Sequence, residues 1–215
     1  MRKPNLRKMI GVGLLLTPII VVCVYFVDLP VALFVESRLY ANAGWSEMTS
    51  ELPDLLFMVV FFSMLVSLLV YLVRTRKGLY DDTTAFFKLV LWISPSSYLV
   101  KTLLKIAFGR VNTRHWLLEP NLYGFHWFQM LKGCEGFPSG HMLVIGALLA
   151  AAWRFYPRTR ALCLATATLL GIALVATNYH FVSDVIAGAY LGVLVEAVAF
   201  TFLIRDPLQP AAGNS

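Results

Sequence analysis

Long apolar stretches separated by short polar segments dominate the chain, and six of them reach the length of about 20 residues that crosses a hydrocarbon layer. They run from about Met9 to Val27, Leu55 to Val73, Ala85 to Phe108, Pro138 to Phe155, Ala161 to Tyr179 and Val182 to Ile204. The second holds no charge, whereas the third carries Lys88 near its start and Lys101 and Lys105 near its end. Pro18 and Pro95 interrupt two of the stretches, which helices packed in a membrane tolerate. The pattern predicts an all-α chain of six transmembrane helices.

Composition agrees with that reading. Of 215 residues, 59% are hydrophobic and only 14% charged, with a mean hydropathy of +0.72, against about 25% charged in a soluble domain. The length fits a single membrane domain over residues 1–215. The formal charge of +6 could suggest nucleic acid, but the basic residues stand in clusters between the apolar runs. That is the positive-inside arrangement of a membrane protein, and no nucleic-acid partner is expected. Of three cysteines, Cys23 and Cys163 lie inside apolar runs and Cys134 stands alone in a loop, so no disulfide framework is expected. The basic start, Met1 to Lys8, followed by an apolar run without a small-residue cleavage site, reads as an uncleaved first helix.

The basic clusters set an orientation. Arg2, Lys3, Arg7 and Lys8 precede the first span; Arg74, Arg76 and Lys77 separate the second and third; Arg154, Arg158 and Arg160 separate the fourth and fifth; Arg205 follows the sixth. These segments alternate so as to share one side, which puts both termini in the cytoplasm. The opposite face then holds Asp28 to Asp54, Gly109 to Phe137 and the link near Tyr179 to Ser183. The first of these is acidic (Asp28, Glu36, Glu47, Glu51, Asp54) and has room for a helix along the membrane surface. No internal repeat or linker is visible, and Gln209 to Ser215 reads as a frayed tail.

The chemistry-bearing residues fall on that same outer face. Ser139, Gly140 and His141 open the fourth span, where free backbone N–H groups and the positive end of the helix dipole favour an anion. Gly140 lets the backbone approach a phosphate, and the Ser139 hydroxyl adds a donor; the same residues also fit a plain serine N-cap. His180 and Asp184 share one helical face. A carboxylate on one ring nitrogen fixes the tautomer and stabilises an imidazolium, as in a hydrolase triad, although an interfacial His beside a capping Asp would look alike. Lys105 lies a turn from the outer end of the third span, with Arg110 and Arg114 beyond it, and such cations suit the oxygens of a phosphoryl group in transfer. They also suit snorkelling at a membrane surface, the preferred reading for Lys101. Glu196, inside the sixth span, reads as a buried structural hydrogen bond. No carboxylate cluster of the kind Mg²⁺ needs is present, so neither a metal nor another cofactor is expected. Tyr123 to Phe128 is an aromatic loop suited to the headgroup level or to an acyl entrance, and His115 and His126 read as interfacial.

Together these parts resemble the type-2 phosphatidic acid phosphatase and vanadium haloperoxidase superfamily, over roughly residues 55 to 205. Its Pro-Ser-Gly-His signature stands in full at Pro138 to His141, and its His-x3-Asp signature stands at His180 and Asp184. Two arginines of the family pattern are absent: Asn112 and Thr113 stand where Arg-Pro is expected after Lys105, and Ala173 and Leu174 where Ser-Arg is expected before His180. Arg110 and Arg114 are placed to supply the missing charge, with Asn112 and Asn178 as neutral donors.

The resemblance implies a compact integral membrane bundle of the bacterial inner membrane, with its site facing the periplasm. His180 would attack phosphorus to form a phosphohistidine, Asp184 would hold its ring, and His141 would protonate the leaving oxygen. Lys105, Ser139, Gly140, Arg110, Arg114 and Asn112 would bind the phosphoryl group. The implied substrate is a lipid mono- or diphosphate: undecaprenyl diphosphate, phosphatidylglycerol phosphate, phosphatidic acid or lipid A. Sphingomyelin synthases also resemble the superfamily and keep the His-x3-Asp pair without the preceding arginine, so a head-group phosphotransferase stands as an alternative. So does a non-catalytic transporter or scaffold.

Overall fold

The computed structural model describes residues 4–40, 52–129 and 133–204, and these are helical apart from their connecting loops. The first helix, α1, begins at Leu6, capped by the Asn5 side chain, which accepts from Lys8 N at 3.1 Å. It is α-helical over Leu6–Val22, winds as a π turn over Cys23–Val27 and resumes over Asp28–Val35. Its apolar stretch covers Leu6–Arg38. Much of its surface points outward, with Leu14 and Leu15 both 71% exposed, as expected of a helix whose solvent is lipid.

The other helices are α2 (Leu52–Arg76), α3 (Asp82–Phe108), the short α4 (Thr113–Leu118), α5 (Gly140–Phe155), α6 (Arg160–Ala176) and α7 (Val182–Leu203). Asp81 caps α3, accepting from Thr84 N at 3.0 Å, and its other oxygen meets Arg74 Nη2 at 2.5 Å, which closes the α2–α3 turn. α3 stops at Gly109, in the left-handed region at φ 54°, where a Cβ would stand 2.0 Å from the His126 carbonyl oxygen. Only glycine meets both conditions.

The centre of the bundle is α5, packed against α7 and α3. Leu89 and Ile93 of α3, Ala147, Ala151 and Phe155 of α5 and Phe200 of α7 form its largest apolar core. Gly188 of α7 lies so close to α5 that a Cβ would come within 2.5 Å of the Ser139 carbonyl oxygen. This approach joins the N-termini of α5 and α7, where Ser139 N donates to the Asp184 carbonyl at 3.0 Å.

Among the described residues, five helices are long and apolar enough to cross a membrane: Leu6–Arg38, Met58–Arg76, Asp82–Phe108, Pro157–Ala176 and Val182–Leu203. The fourth expected span, α5, has 16 residues, about 24 Å at 1.5 Å per residue, short of the roughly 30 Å hydrocarbon thickness. Being central, it has protein rather than lipid for much of its surroundings.

The first span does not end at Val27, and Asp28 is not part of an exposed acidic loop: Asp28 is only 1% exposed within α1. A lone carboxylate after an apolar run reads as the end of a span, but here Arg110 satisfies it from across the bundle. Glu36 also lies on this helix and accepts from Asn178 Nδ2 at 3.0 Å. Glu47 and Glu51, together with Arg2, Lys3, Arg205 and the tail from Gln209, lie outside the described residues. Glu196 is buried and takes both hydrogen bonds of the Arg154 fork, at 2.6 and 2.7 Å. Cys23, Cys134 and Cys163 are free and buried.

Candidate active site

Three helix ends and one loop converge at the end of the bundle opposite the Arg74–Asp81 turn. Ser139 caps α5 with its side chain accepting from Met142 N at 3.4 Å, so Gly140 and His141 form the first turn. The connection from α6 to α7 carries Asn178, Tyr179 and His180, and Asp184 lies in the first turn of α7. The His141 and His180 rings stand 6.2 Å apart between centroids, each 5.3 Å from the Tyr179 ring.

A cavity of about 430 Å³ opens beside them. His141, His180, Gly140, Lys105, Asn112 and Arg114 line it, as do Lys101, His115, Glu135 and Tyr179. Lys101 and Lys105 are one helical turn apart, and the Lys101 stem packs on Gly140. Like charges at this spacing repel, and a bound anion would relieve that repulsion. Arg114 donates to the Thr177 carbonyl at 3.0 Å and lies over the Tyr179 ring. Asn112 caps α4, accepting from His115 N at 2.8 Å.

His180 is 3% exposed, with Nδ1 3.6 Å from Asp184 Oδ2. That is ion-pair range, beyond a formed hydrogen bond, and among the described residues Nδ1 has no hydrogen-bond partner. Catalytic contacts are often this loose before substrate binds. Burial pushes the His180 pKa below its ordinary value, while Asp184 pulls it the other way. The second Asp184 contact on this side is Phe181 N, which donates to Oδ2 at 3.0 Å.

Arg110 stands apart from the cavity. It is fully buried behind Asp184, with Nη1 donating to Asp184 Oδ1 at 2.5 Å and to Ser183 Oγ at 2.6 Å. Nη2 donates to Asp28 Oδ2 at 2.7 Å and to the Tyr123 hydroxyl at 3.2 Å. The guanidinium is enclosed by the Tyr123, Phe125 and Phe181 rings. Burial works against its charge, but Asp184 and then Asp28 outweigh it and hold its pKa above the ordinary range. The aromatic loop therefore serves partly as the wall of this ion cluster, while Trp127 and Phe128 remain exposed. Leu174, where the family pattern has arginine, is buried with Met142 and Val185.

Sequence reasoning missed Asp28, Ser183, Glu135 and Tyr179, and placed Lys101 at the membrane surface. The i, i+4 relation of Lys101 to Lys105 was a usable signal, since it puts both on one face. No local signal links Asp28 to Arg110. Among the described residues, no three His, Cys, Asp or Glu side chains gather to hold a metal ion.

The chain is similar in sequence to known proteins. The model of the PAP2 superfamily matches residues 55–206. A lipid A 1-phosphatase of Rhizobium johnstonii is 37% identical over 107 residues, 48% of this chain and 43% of that protein. A lipid A 1-phosphatase of Rhizobium etli is 38% identical over 115 residues, 54% of this chain and 45% of that protein. The chain thus matches less than half the length of these curated relatives. No solved structure matches. The family match takes in α3, α5 and α7 with both histidines and Asp184, and the chain belongs to the PAP2 superfamily.

Proposed function

We propose that this chain is a membrane lipid phosphatase that cleaves a phosphate ester of a lipid head group through a phosphohistidine on His180. The observation that carries this reading is the facing pair His141 and His180 at the rim of a cavity holding Lys101, Lys105 and Arg114. The Nε2 lone pair of His180 attacks phosphorus and the bond to the lipid oxygen breaks. His141 delivers a proton to that oxygen, and Asp184 stabilises the cationic ring through Nδ1. Water then attacks the phosphohistidine with His141 taking its proton, and phosphate leaves with His180 restored. Lys101, Lys105 and Arg114 neutralise the phosphoryl oxygens, and the N–H of Gly140 donates a hydrogen bond to them. Every charge in this scheme is met by a side chain, so the reaction runs without metal.

The names of the two Rhizobium relatives favour lipid A as substrate. The alternation of basic clusters favours cytoplasmic termini, a periplasmic site and the bacterial inner membrane. The test is phosphate release by detergent-purified protein from lipid A, phosphatidic acid, phosphatidylglycerol phosphate and undecaprenyl diphosphate. Release by wild type, with near-complete loss in both His180→Ala and His141→Ala, is the expected result. Release that persists in His180→Ala would overturn the phosphohistidine.

One observation favours a second reading, transfer of the phosphoryl-bearing group to another lipid. Asn112 is committed to the α4 cap and Leu174 to the core, so two family arginines are unreplaced at their own positions. Loss of the donor lipid with no free phosphate, and appearance of a new phospholipid, would select it.

A further inference from the structure

Asp28 lies in α1, outside the segment that matches the family model, yet it completes the charge arrangement behind His180. Its Oδ2 accepts from Arg110 Nη2 at 2.7 Å and from Ser183 Oγ at 2.5 Å, and its Oδ1 accepts from Ser183 N at 3.0 Å. Ser183 immediately precedes Asp184, so Asp28 ties down the first turn of α7. Arg110 bridges the two carboxylates, and all of these residues are at most 1% exposed. The preceding π turn, Cys23–Val27, holds more residues per turn than an α turn and so rotates the face that follows it.

We propose that Asp28, acting through Arg110 and Ser183, is a positioning residue that sets the orientation and net charge of the Asp184 carboxylate facing His180. Because Arg110 occupies Asp184 Oδ1, it is Oδ2 that faces the His180 ring. Asp28 and Asp184 together outweigh Arg110 by one negative charge, which balances a cationic His180. Without the Asp28 charge, Arg110 acts on Asp184 alone and the cluster becomes neutral, so the phosphorylated or protonated ring loses its counter-charge. The substrate cavity is lined by other residues, so binding is left as it is.

This inference rests on the proposed reaction, and its test has an arm that does not. Phosphate release is measured for wild type, Asp28→Asn, Asp184→Asn and the double variant, beside ¹⁵N spectra of histidine-labelled protein. The expected result for Asp28→Asn is a fall in kcat of about 10–100-fold, typical of groups that orient a reacting ligand, with KM unchanged. In the Asp184→Asn background the same substitution should add nothing, because coupled sites are non-additive. Wild-type kcat in folded Asp28→Asn, or an equal loss in both backgrounds, would overturn the proposal. Should wild type release no phosphate, the reaction fails, and the ring-nitrogen shifts of His180 still decide the inference: moved by Asp28→Asn if it holds, unmoved if it does not. Should Asp28→Asn not fold, Ser183→Ala takes its place in both arms and tests the tether with every charge kept: kcat should fall with KM unchanged, and a wild-type kcat with unmoved His180 shifts would overturn the proposal.

Discussion

Lys105 and Arg110 are both cations near the end of one helix, yet they have opposite fates. Lys105 lines the cavity, whereas Arg110 is enclosed by two carboxylates and three rings behind it. Their variants should differ accordingly. Lys105→Met and Arg114→Met are expected to raise KM for lipid phosphate by about 10-fold or more, the scale of one lost charge-assisted hydrogen bond. Arg110→Lys should instead lower kcat with little change in KM. Steady-state kinetics over a range of lipid mole fraction separates the two. Burial lowers the His180 pKa, so its neutral, nucleophilic form persists below the ordinary value of about 6.5. Activity should hold at pH 6.5, and the acid limb of kcat/KM should fall only below it. Stability drawn from neutral His180 is likewise present above about pH 6.5 and lost as pH falls through the folded value. An acid limb centred above 6.5 would contradict this.

At the scale of elements, the site depends on the joined N-termini of α5 and α7. Gly188 permits their approach, with the Ser139 carbonyl 2.5 Å from where a Cβ would stand. Gly188→Leu should therefore separate Ser139 from Asp184 and abolish most activity, even in protein that still elutes as a folded species in detergent. At the opposite end, Asp81 caps α3. The Thr84 N–H, and then Arg74, hold its carboxyl at about 2. A depressed carboxylate contributes stability above its unfolded value, near 3.9, which is lost as pH falls toward the folded value. Wild type should thus melt higher than Asp81→Ala at pH 7, and the gap should close between about pH 4 and pH 2. A gap independent of pH would show that the cap acts without its charge.

For the whole molecule, the layout separates chemistry from anchorage. His141, His180, Lys101, Lys105 and Asp184 gather at one end of the bundle, and Arg74, Asp81, Arg154 and Arg160 at the other. The Arg154–Glu196 pair, with Glu196 fully buried, ties α5 to α7 far along from the site. Breaking such a pair from one side costs about 3–5 kcal/mol. Glu196→Ala should lower thermal stability strongly while the surviving folded protein keeps its KM, which thermal scans and kinetics in one detergent would show. Chelator treatment should leave turnover intact, since the proposed scheme places no step on a metal.

The helical character of the chain, its family and the contiguous motif residues were legible in the sequence, because each rests on short-range information. Apolar run length marks a span, Pro138 to His141 is contiguous, and His180 and Asp184 lie within one turn. Contacts between distant segments were not legible: that Lys101 joins the cavity, that α5 is a short central helix, and that Arg110 contacts Asp184 rather than lining the cavity. The same holds for Asp28, which meets Arg110 from across the bundle. Burial of charge accounts for the difference. A carboxylate and a guanidinium far apart in the chain can each leave solvent only if they meet, and no local pattern around either residue names the partner.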